Sequence, residues 1–217
     1  MNAAAQSAKQ TILLVHGWGF HSGLWQDVTP LLDDFEIKYV DLGFIWQGPK
    51  GASRLPQNAI CVGHGFGLTW LLRHGPRPMR GLISIAGFDN YSDHMRLDHL
   101  ESMKLGLDKD AEAELMAFWR AIGIENFSDR VNFDVAGMRG ALDWIAKWDL
   151  RQVRNNLTCP IMALASADDP FVPKDMSEAI WGKGDLRLRD DGSHALPLTQ
   201  PAWCADAIRE FAAGIPD

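Results

Sequence analysis

Short apolar runs recur along the chain and alternate with stretches of helical periodicity. An apolar run without polar alternation is typical of a strand buried on both faces of a parallel sheet. Strand-like runs lie at Thr11–Val15, Phe35–Leu42, Ala59–Val62, Gly81–Ala86, Cys159–Ala165 and Leu186–Arg189. Of these, Phe35–Leu42 alternates between apolar and polar residues. Helical spacing of apolar positions occurs at Leu24–Leu32, Leu68–Arg73, Lys174–Trp181 and Pro201–Ala213. Strands separated by helices predict an α/β fold with a mostly parallel sheet and helices on both faces.

The middle of the chain interrupts this alternation. Residues 88–150 carry many charges and no obvious strand, while helical patterns occur at Ala111–Ile122 and Met138–Trp148. Open α/β sheets bind ligands at the carboxyl edge of their strands. We therefore predict that 88–150 is a helical cap inserted above that edge, and that 1–87 and 151–217 together form the core domain.

Composition narrows the class of protein. The chain has 217 residues, of which 47% are hydrophobic, so it is long enough for one well-packed domain with an insertion. Its net charge of −7 argues against binding to nucleic acid or to an anionic membrane surface. Residues 1–10 lack the apolar segment of a secretory signal, and the three widely spaced cysteines indicate neither a metal site nor a disulfide framework. These features predict a cytoplasmic protein without a metal.

A glycine-rich segment, VGHGFG at 62–67, stands between a predicted buried strand and a predicted helix. The nucleophile elbow G-x-S-x-G requires this context, because its central side chain projects above the sheet from a tight turn. Gly63 and Gly67 occupy the flanking positions, but the centre is Gly65, which has no hydroxyl. The alternative is an ordinary glycine-rich turn. The segment is also not a phosphate-binding loop, because no Gly-Lys-Ser/Thr follows, so no cofactor is expected.

Two later loops favour the elbow interpretation. Asp169 follows a predicted strand, and His194 lies in the loop before the last helix, which is the chain order of the hydrolase triad. In such a triad, histidine takes the proton of the nucleophile and the carboxylate orients the imidazole. Asp168 competes with Asp169 for the acid role; we favour Asp169 and expect Asp168 to cap the following turn.

The loop after the first strand, His16-Gly17-Trp18-Gly19, is a candidate for half of an oxyanion hole. The backbone N–H of Trp18 is the first expected donor, and the N–H of Phe66, next to the elbow centre, is the second. A tight turn around a buried aromatic ring is the alternative. For His16 we favour a structural role in holding the loop.

Taken together, the segments HGWG, DPFVP, GSHA and the elbow resemble the α/β-hydrolase superfamily from about residue 11 to 213. The Trp25 segment and the tail GSHALPLTQPAWCADAIREF (192–211) are similar to the pimeloyl-acyl-carrier-protein methyl ester esterases of biotin synthesis. The resemblance implies hydrolysis of an acyl ester through a serine, and a cap whose basic residues meet an acidic acyl-carrier protein. The candidates are Arg96, Lys104, Arg120, Arg130, Arg139, Lys147, Arg151 and Arg154, although acidic residues among them favour a solvated surface for most.

The chain departs from that pattern at the nucleophile. Gly65 stands where the family has serine, the N-terminal hairpin has no room, and the segment before the elbow strand is short. Loss of a triad nucleophile costs on the order of a million-fold in turnover. Neither Cys61, inside the strand, nor Ser193, beside the histidine, is placed to substitute, so His194 is left to activate water directly.

Three interpretations of the function remain open, of which the first two also explain the missing nucleophile. An esterase inactivated by replacement of serine is favoured, because the acid, the base and HGWG are retained. A natural pseudo-hydrolase that binds an acyl ligand without turnover is the second. A related chemistry, such as C–C bond hydrolysis or haloperoxidation, is the third.

Aromatic residues form the candidate substrate pocket. Seven of the nine tryptophans fall near the elbow or in the predicted cap, at positions 18, 46, 70, 119, 144, 148 and 181. At helical spacing such residues are more often core than pocket. We nevertheless predict that a small or medium acyl chain contacts Trp18, Phe118, Trp119, Trp144 and Trp148.

Overall fold

The computed structural model describes residues 9–45, 54–125, 127 and 132–215. Within these residues, six strands form one sheet in the order β2-β1-β3-β4-β5-β6, and every neighbouring pair is parallel. The strands are β1 Thr11–Val15, β2 Glu36–Val40, β3 Ile60–His64, β4 Gly81–Ile85, β5 Ile161–Ser166 and β6 Asp185–Arg189. The predicted α/β class with a mostly parallel sheet is confirmed. The chain order reverses direction between β1 and β3, which places a ligand crevice at the carboxyl ends of these two strands.

In the described part of the chain, eight α-helices surround or follow the strands. They are α1 Phe66–His74, α2 Asp98–Lys109, α3 Ala111–Ala121, α4 Val135–Lys147, α5 Arg151–Asn155, α6 Lys174–Trp181, α7 Leu196–Thr199 and α8 Pro201–Ala213. Helices α6 and α8 have the predicted bounds. The helix α2 was not predicted, although Leu100, Met103 and Leu107 recur at helical spacing and are all buried.

The helix predicted at Leu24–Leu32 is wrong. The segment consists of two short 3-10 turns, Ser22–Trp25 and Thr29–Leu31. Pro30 explains the break, because its ring nitrogen cannot donate to the carbonyl of Gln26 as a continuous α-helix would require. The first turn still buries Leu24 and Trp25, whereas the second turn buries none of its residues.

The insertion between β4 and β5 contacts the loop that follows β1. The indole N–H of Trp18 donates to the carbonyl of Met138 on α4 at 2.9 Å. The indole N–H of Trp119 on α3 donates to the carbonyl of Gly19 at 3.0 Å. These two bonds join the helical insertion to the carboxyl edge of the sheet. The division into a core and a cap at residues 88–150 stays a prediction. Among the described helices, none is both long and apolar enough to cross a membrane.

Two glycine-to-alanine substitutions test how closely α1 packs against β1. A Cβ at Gly67 would lie 2.4 Å from the carbonyl oxygen of Val15 and 2.5 Å from that of His16, both backbone atoms. We expect Gly67→Ala to lower the free energy of unfolding by about 3 kcal/mol or more. At Gly140, inside α4, a Cβ would meet nothing within 4 Å. Gly140→Ala should therefore stabilise by about 0.5–1 kcal/mol.

Urea unfolding of the two glycine variants checks this expectation. Equal midpoints for the two variants would contradict the packing of α1 against β1.

Candidate active site

The turn from β3 to α1 has the geometry of a nucleophile elbow. Its central residue, Gly65, has φ +49° and ψ −122°, a conformation that costs side-chain-bearing residues about 1–3 kcal/mol. The flanking glycines are required by close backbone contacts: a Cβ at Gly63 would lie 2.5 Å from the Cα of Leu68. The glycine at position 65, by contrast, meets no such obstruction from the backbone. Close packing against the backbone thus explains why positions 63 and 67 are glycine. At position 65, only the positive φ angle favours glycine.

A side chain at position 65 would point at His194. A Cβ built on Gly65 lies 3.0 Å from Nε2 and 3.4 Å from Cε1 of that imidazole. If the residues on either side of position 65 are left aside, the next nearest atom among the described residues is the carbonyl oxygen of Ala86 at 3.9 Å. A hydroxyl on that carbon would be within hydrogen-bonding reach of Nε2. The structure therefore brings together the predicted nucleophile position and the predicted base.

The imidazole of His194 is held by Asp169. Nδ1 lies 2.8 Å from Oδ2 of the carboxylate, and the two side chains are 8% and 1% exposed. The second oxygen, Oδ1, accepts the backbone N–H groups of Phe171 at 2.8 Å and Val172 at 2.9 Å. Because an ionised carboxylate only accepts, we assign the proton to Nδ1, which leaves Nε2 as the acceptor facing position 65.

The neighbouring Asp168 has a different task from the one predicted. The expectation that it caps the following turn is wrong, because Asp169 accepts the N–H groups of that turn. Oδ1 of Asp168 accepts the N–H of Ser193 at 2.7 Å and the hydroxyl of Ser166 at 2.5 Å. Burial alone would raise the pKa of Asp168, but its hydrogen bonds, those from Ser166 and Ser193 among them, outweigh burial and lower the pKa. The ionised carboxylate thus ties the end of β5 to the loop that carries His194.

A second buried histidine supports the same loop and was not predicted. Nε2 of His64 lies 2.9 Å from the carbonyl oxygen of His194, and the side chain is fully buried. Burial holds the pKa of His64 well below its usual range, so the ring is neutral and Nε2–H donates. A Cβ at Gly17 would lie 2.6 Å from Nδ1 of His64. The ring therefore joins the elbow, the His194 loop and the loop after β1; its place directly before the elbow centre was the available signal.

Replacing the His64 ring should destabilise the fold. His64→Ala leaves the carbonyl of His194 without its donor and opens a cavity between three loops. We expect the free energy of unfolding to fall by about 3 kcal/mol, combining a buried unpaired carbonyl with lost packing. His94→Ala, at an exposed histidine, is the matched control and should change stability by less than about 0.5 kcal/mol. Thermal or urea unfolding measures both, and equal stabilities would refute this role.

The predicted oxyanion donors flank the same point. Phe66 is the first residue of α1, where backbone N–H groups have no intrahelical acceptor and the helix dipole favours an anion. Trp18 lies in the loop after β1. His16 shapes that loop: its buried ring contacts the carbonyl of Gly17 at 2.9 Å, and the N–H of Leu42 donates to Nε2 at 2.8 Å. This agrees with a structural role for His16, while the oxyanion role of the two N–H groups stays a prediction.

An apolar cavity opens beside His194 under the insertion. It leaves about 40 Å³ for the centres of water-sized molecules. Its wall consists of Trp18, Phe66, Phe88, Tyr91, Leu100, Met103, Phe118, Leu142, Ile145, Phe171, Val172 and His194. Most of these positions were not predicted, because they come from separate segments that only the fold assembles. The hydroxyl of Tyr91 lies 2.8 Å from Nε2 of His99, and burial raises the pKa of Tyr91, so this phenol stays protonated.

Only some of the predicted pocket residues line the cavity. Trp18 and Phe118 line the cavity. Trp119 is buried in the core, with its indole N–H on Gly19, and is not part of the cavity wall. Trp144 and Trp148 stack on each other at 5.1 Å, outside that wall; Trp144 is 44% exposed. Trp46 and Arg130 lie outside the described residues.

Several basic residues of the insertion and of α5 form ion pairs. Lys104 contacts Glu101 at 2.7 Å and Asp143 at 2.6 Å. Further ion pairs join Arg96 to Asp98, Arg139 to Asp108, Arg151 to Asp93 and Asp149, and Arg154 to Asp89. The exposed pairs of Arg96, Arg139 and Arg151 support the interpretation of a solvated, charge-balanced surface. Lys104 and Asp89, by contrast, are buried. In the described part of the chain, no group of three His, Cys, Asp or Glu side chains is arranged to hold a metal ion.

The chain is similar along nearly its whole length to proteins of named activity. No protein-family profile matches the chain. The chain is 26% identical to pimeloyl-[acyl-carrier protein] methyl ester esterase of Methylococcus capsulatus, covering 93% of this chain and 94% of the relative. It is 24% identical to the enzyme of the same name from Vibrio cholerae, covering 94% of each.

Solved structures show the same fold at lower identity. An esterase from Exiguobacterium antarcticum superposes with a TM-score of 0.78 at 15% identity, over 95% of this chain and 93% of the other. A bromoperoxidase from Bacillus anthracis gives a TM-score of 0.76 at 18% identity, over 95% and 92% of the two chains. The chain therefore has the α/β-hydrolase fold, and the two relatives that it matches along nearly their whole length are named esterases.

Proposed function

We propose that this chain has the site of a carboxylic ester hydrolase for small or medium acyl esters, in which glycine replaces the nucleophilic serine. One observation carries the proposal. A side chain at position 65 would meet Nε2 of His194 at 3.0 Å, and the opposite nitrogen of the same ring is 2.8 Å from Asp169. Position 65 therefore lies beside an oriented histidine but lacks the hydroxyl that acyl transfer through serine requires.

The retained residues have defined roles in this proposal. Asp169 orients His194 and stabilises its protonated form, and Nε2 accepts a proton from the attacking group. The N–H groups of Trp18 and Phe66 receive the charge that develops on the carbonyl oxygen of the ester. Without a hydroxyl at position 65 no acyl-enzyme forms, so the chain binds the ester and turns it over only through water that His194 activates.

The substrate class follows from the cavity and the relatives. The wall is apolar apart from Tyr91 and His194, which suits an acyl chain and keeps bulk water from the ester. The relatives named above are pimeloyl-[acyl-carrier protein] methyl ester esterases. We therefore propose an acyl ester as substrate, with an acyl-carrier protein as the partner that presents it across the helical insertion.

A non-catalytic acyl-binding protein is the second candidate. Gly65 adopts its positive φ without the cost that a serine would bear, which favours a chain selected for binding rather than turnover. The test is hydrolysis of a panel of short- and medium-chain esters by this chain and by Gly65→Ser. Turnover that appears only with serine supports the esterase site, whereas a folded, inert serine variant that binds the acyl ligand supports the binding protein.

A further inference from the structure

We propose that the hydroxyl of Tyr91 is a hydrogen-bond acceptor that selects the acyl group, and that the cavity takes an acyl chain carrying a hydroxyl group. The inference rests on the proposed function, because it assumes that an acyl ester occupies the cavity beside His194. It goes beyond that function by naming the chemical class of the acyl chain and the residue that distinguishes it from an unsubstituted chain.

Tyr91 supplies a polar group to a cavity wall that is otherwise nearly apolar. Of the twelve wall residues, nine have no nitrogen or oxygen in their side chains. The indole N–H of Trp18 is already bonded to the carbonyl of Met138 at 2.9 Å. Both ring nitrogens of His194 serve the proposed reaction, one at the carboxylate and the other toward position 65. Among the side chains of this wall, the hydroxyl of Tyr91 is therefore left to bind a polar substituent of the acyl chain.

The phenol lies near the residues that hold the ester in the proposed function. Burial raises the pKa of Tyr91, and the negative charge of Asp169 raises it further. The phenol oxygen is thus within electrostatic range of the carboxylate that orients His194. The ring centre of Phe171, another wall residue, is 5.9 Å from that of His194 and 6.5 Å from that of His99, the partner of the phenol. An ester held at His194 would therefore bring its acyl chain beside Tyr91.

His99 decides the direction of the hydrogen bond that Tyr91 makes. The phenol oxygen lies 2.8 Å from Nε2 of His99. Burial lowers the pKa of His99, so the ring is neutral at pH 7 and carries a single N–H. The carbonyl of Arg96 accepts a hydrogen bond from this ring, which we assign to Nδ1–H because Nε2 faces the phenol. Nε2 is then the acceptor, the phenol donates its proton to it, and the phenol oxygen keeps its lone pairs for the ligand.

An acceptor in the wall favours a donor on the ligand. A hydroxyl on the acyl chain can donate to the phenol oxygen of Tyr91, whereas a keto group at the same carbon would place two acceptors against each other. A hydroxyl without this partner would lose its hydration among apolar side chains and gain nothing in return. The cavity is therefore expected to prefer hydroxyacyl esters to the matching oxoacyl esters.

The test measures dissociation constants of methyl hexanoate and of its 2-, 3- and 5-hydroxy derivatives by saturation-transfer NMR, first with the unmodified chain. Tyr91→Phe removes only the hydroxyl. We expect this variant to bind the best hydroxy ester about tenfold more weakly relative to methyl hexanoate, because the ligand hydroxyl loses its buried partner. Tyr39→Phe, at the exposed tyrosine of β2, is the matched control and should leave the ratio of the two constants unchanged.

His99 is a positioning residue in this proposal, and its replacement should reverse the preference. In His99→Leu the phenol loses its acceptor and is free to donate to the ligand. The affinity for the oxo ester that matches the best hydroxy ester should then rise by about tenfold relative to that hydroxy ester. Loosened packing alone would weaken both esters together and would not change this ratio.

An unchanged ratio in a cooperatively folded Tyr91→Phe variant would overturn the inference, and so would an unchanged oxo-to-hydroxy ratio in folded His99→Leu. If Gly65→Ser hydrolyses methyl hexanoate while Tyr91→Phe leaves the ratio unchanged, this inference alone fails and the proposed function stands. If Gly65→Ser is folded and inert, and the unmodified chain binds none of these esters, the proposed function fails and this inference fails with it.

Discussion

Gly65→Ser is expected to raise the turnover of a short-chain acyl ester by at least about 10,000-fold, since loss of a triad serine costs up to about a million-fold. The physical reason is the 3.0 Å between the Cβ position of residue 65 and Nε2 of His194, with Asp169 already 2.8 Å from Nδ1. A serine hydroxyl would therefore lie next to a histidine base that is already oriented and buried. The measurement is initial-rate hydrolysis of p-nitrophenyl and methyl esters, with active-site titration of the acyl-enzyme burst.

The serine also carries a cost that can be measured separately. A non-glycine residue at φ +49° loses about 1–3 kcal/mol, so the variant should unfold at lower denaturant than the parent chain. Gly65→Ala shares this strain and the added carbon but has no hydroxyl, and it should gain no esterase activity. A gain of equal size in the alanine variant, or none in a folded serine variant, would contradict the triad.

The sequence was most informative where a single segment decides the structure. Buried strands such as β1 are uniform apolar runs, and their bounds were predicted to within one or two residues. The predicted helix at Leu24–Leu32 failed because one proline outweighed its apolar spacing. The helix α2 was missed because its charged and glycine residues hide a buried face formed by Leu100, Met103 and Leu107.

The candidate site follows the same rule. Gly65, Asp169 and His194 lie in short motifs whose spacing is local, and the fold brings all three together. His64 acts through the carbonyl of a residue 130 positions away, which no local pattern encodes. The cavity wall likewise depends on how the insertion packs over the sheet. For this reason Trp119 and Trp144 could not be sorted into core and surface from their helical spacing alone.

In the Gly65→Ser background, Asp169→Asn is expected to lower turnover by about 10,000-fold, the loss that follows when the acid of a triad becomes an amide. Oδ2 of Asp169 accepts the proton on Nδ1 of His194 at 2.8 Å. An amide at this site can turn its NH₂ toward the ring, which favours the wrong tautomer and leaves a protonated Nε2 facing the serine. Hydrolysis rates measure the loss, and NMR of the imidazole nitrogens reports the tautomer.

Asp168→Asn, one residue earlier, is the matched control. Asp168 accepts the N–H of Ser193 and the hydroxyl of Ser166, whereas Nδ1 of the imidazole is bonded to Asp169. An asparagine oxygen can still accept both bonds, so the expected loss is less than about tenfold, or about 1.4 kcal/mol. The Nδ1–H tautomer should persist. If the two asparagine variants lost activity equally, or if Asp168→Asn alone shifted the tautomer, the acid of this site would be Asp168, and the orientation of His194 would depend on the loop rather than on Asp169.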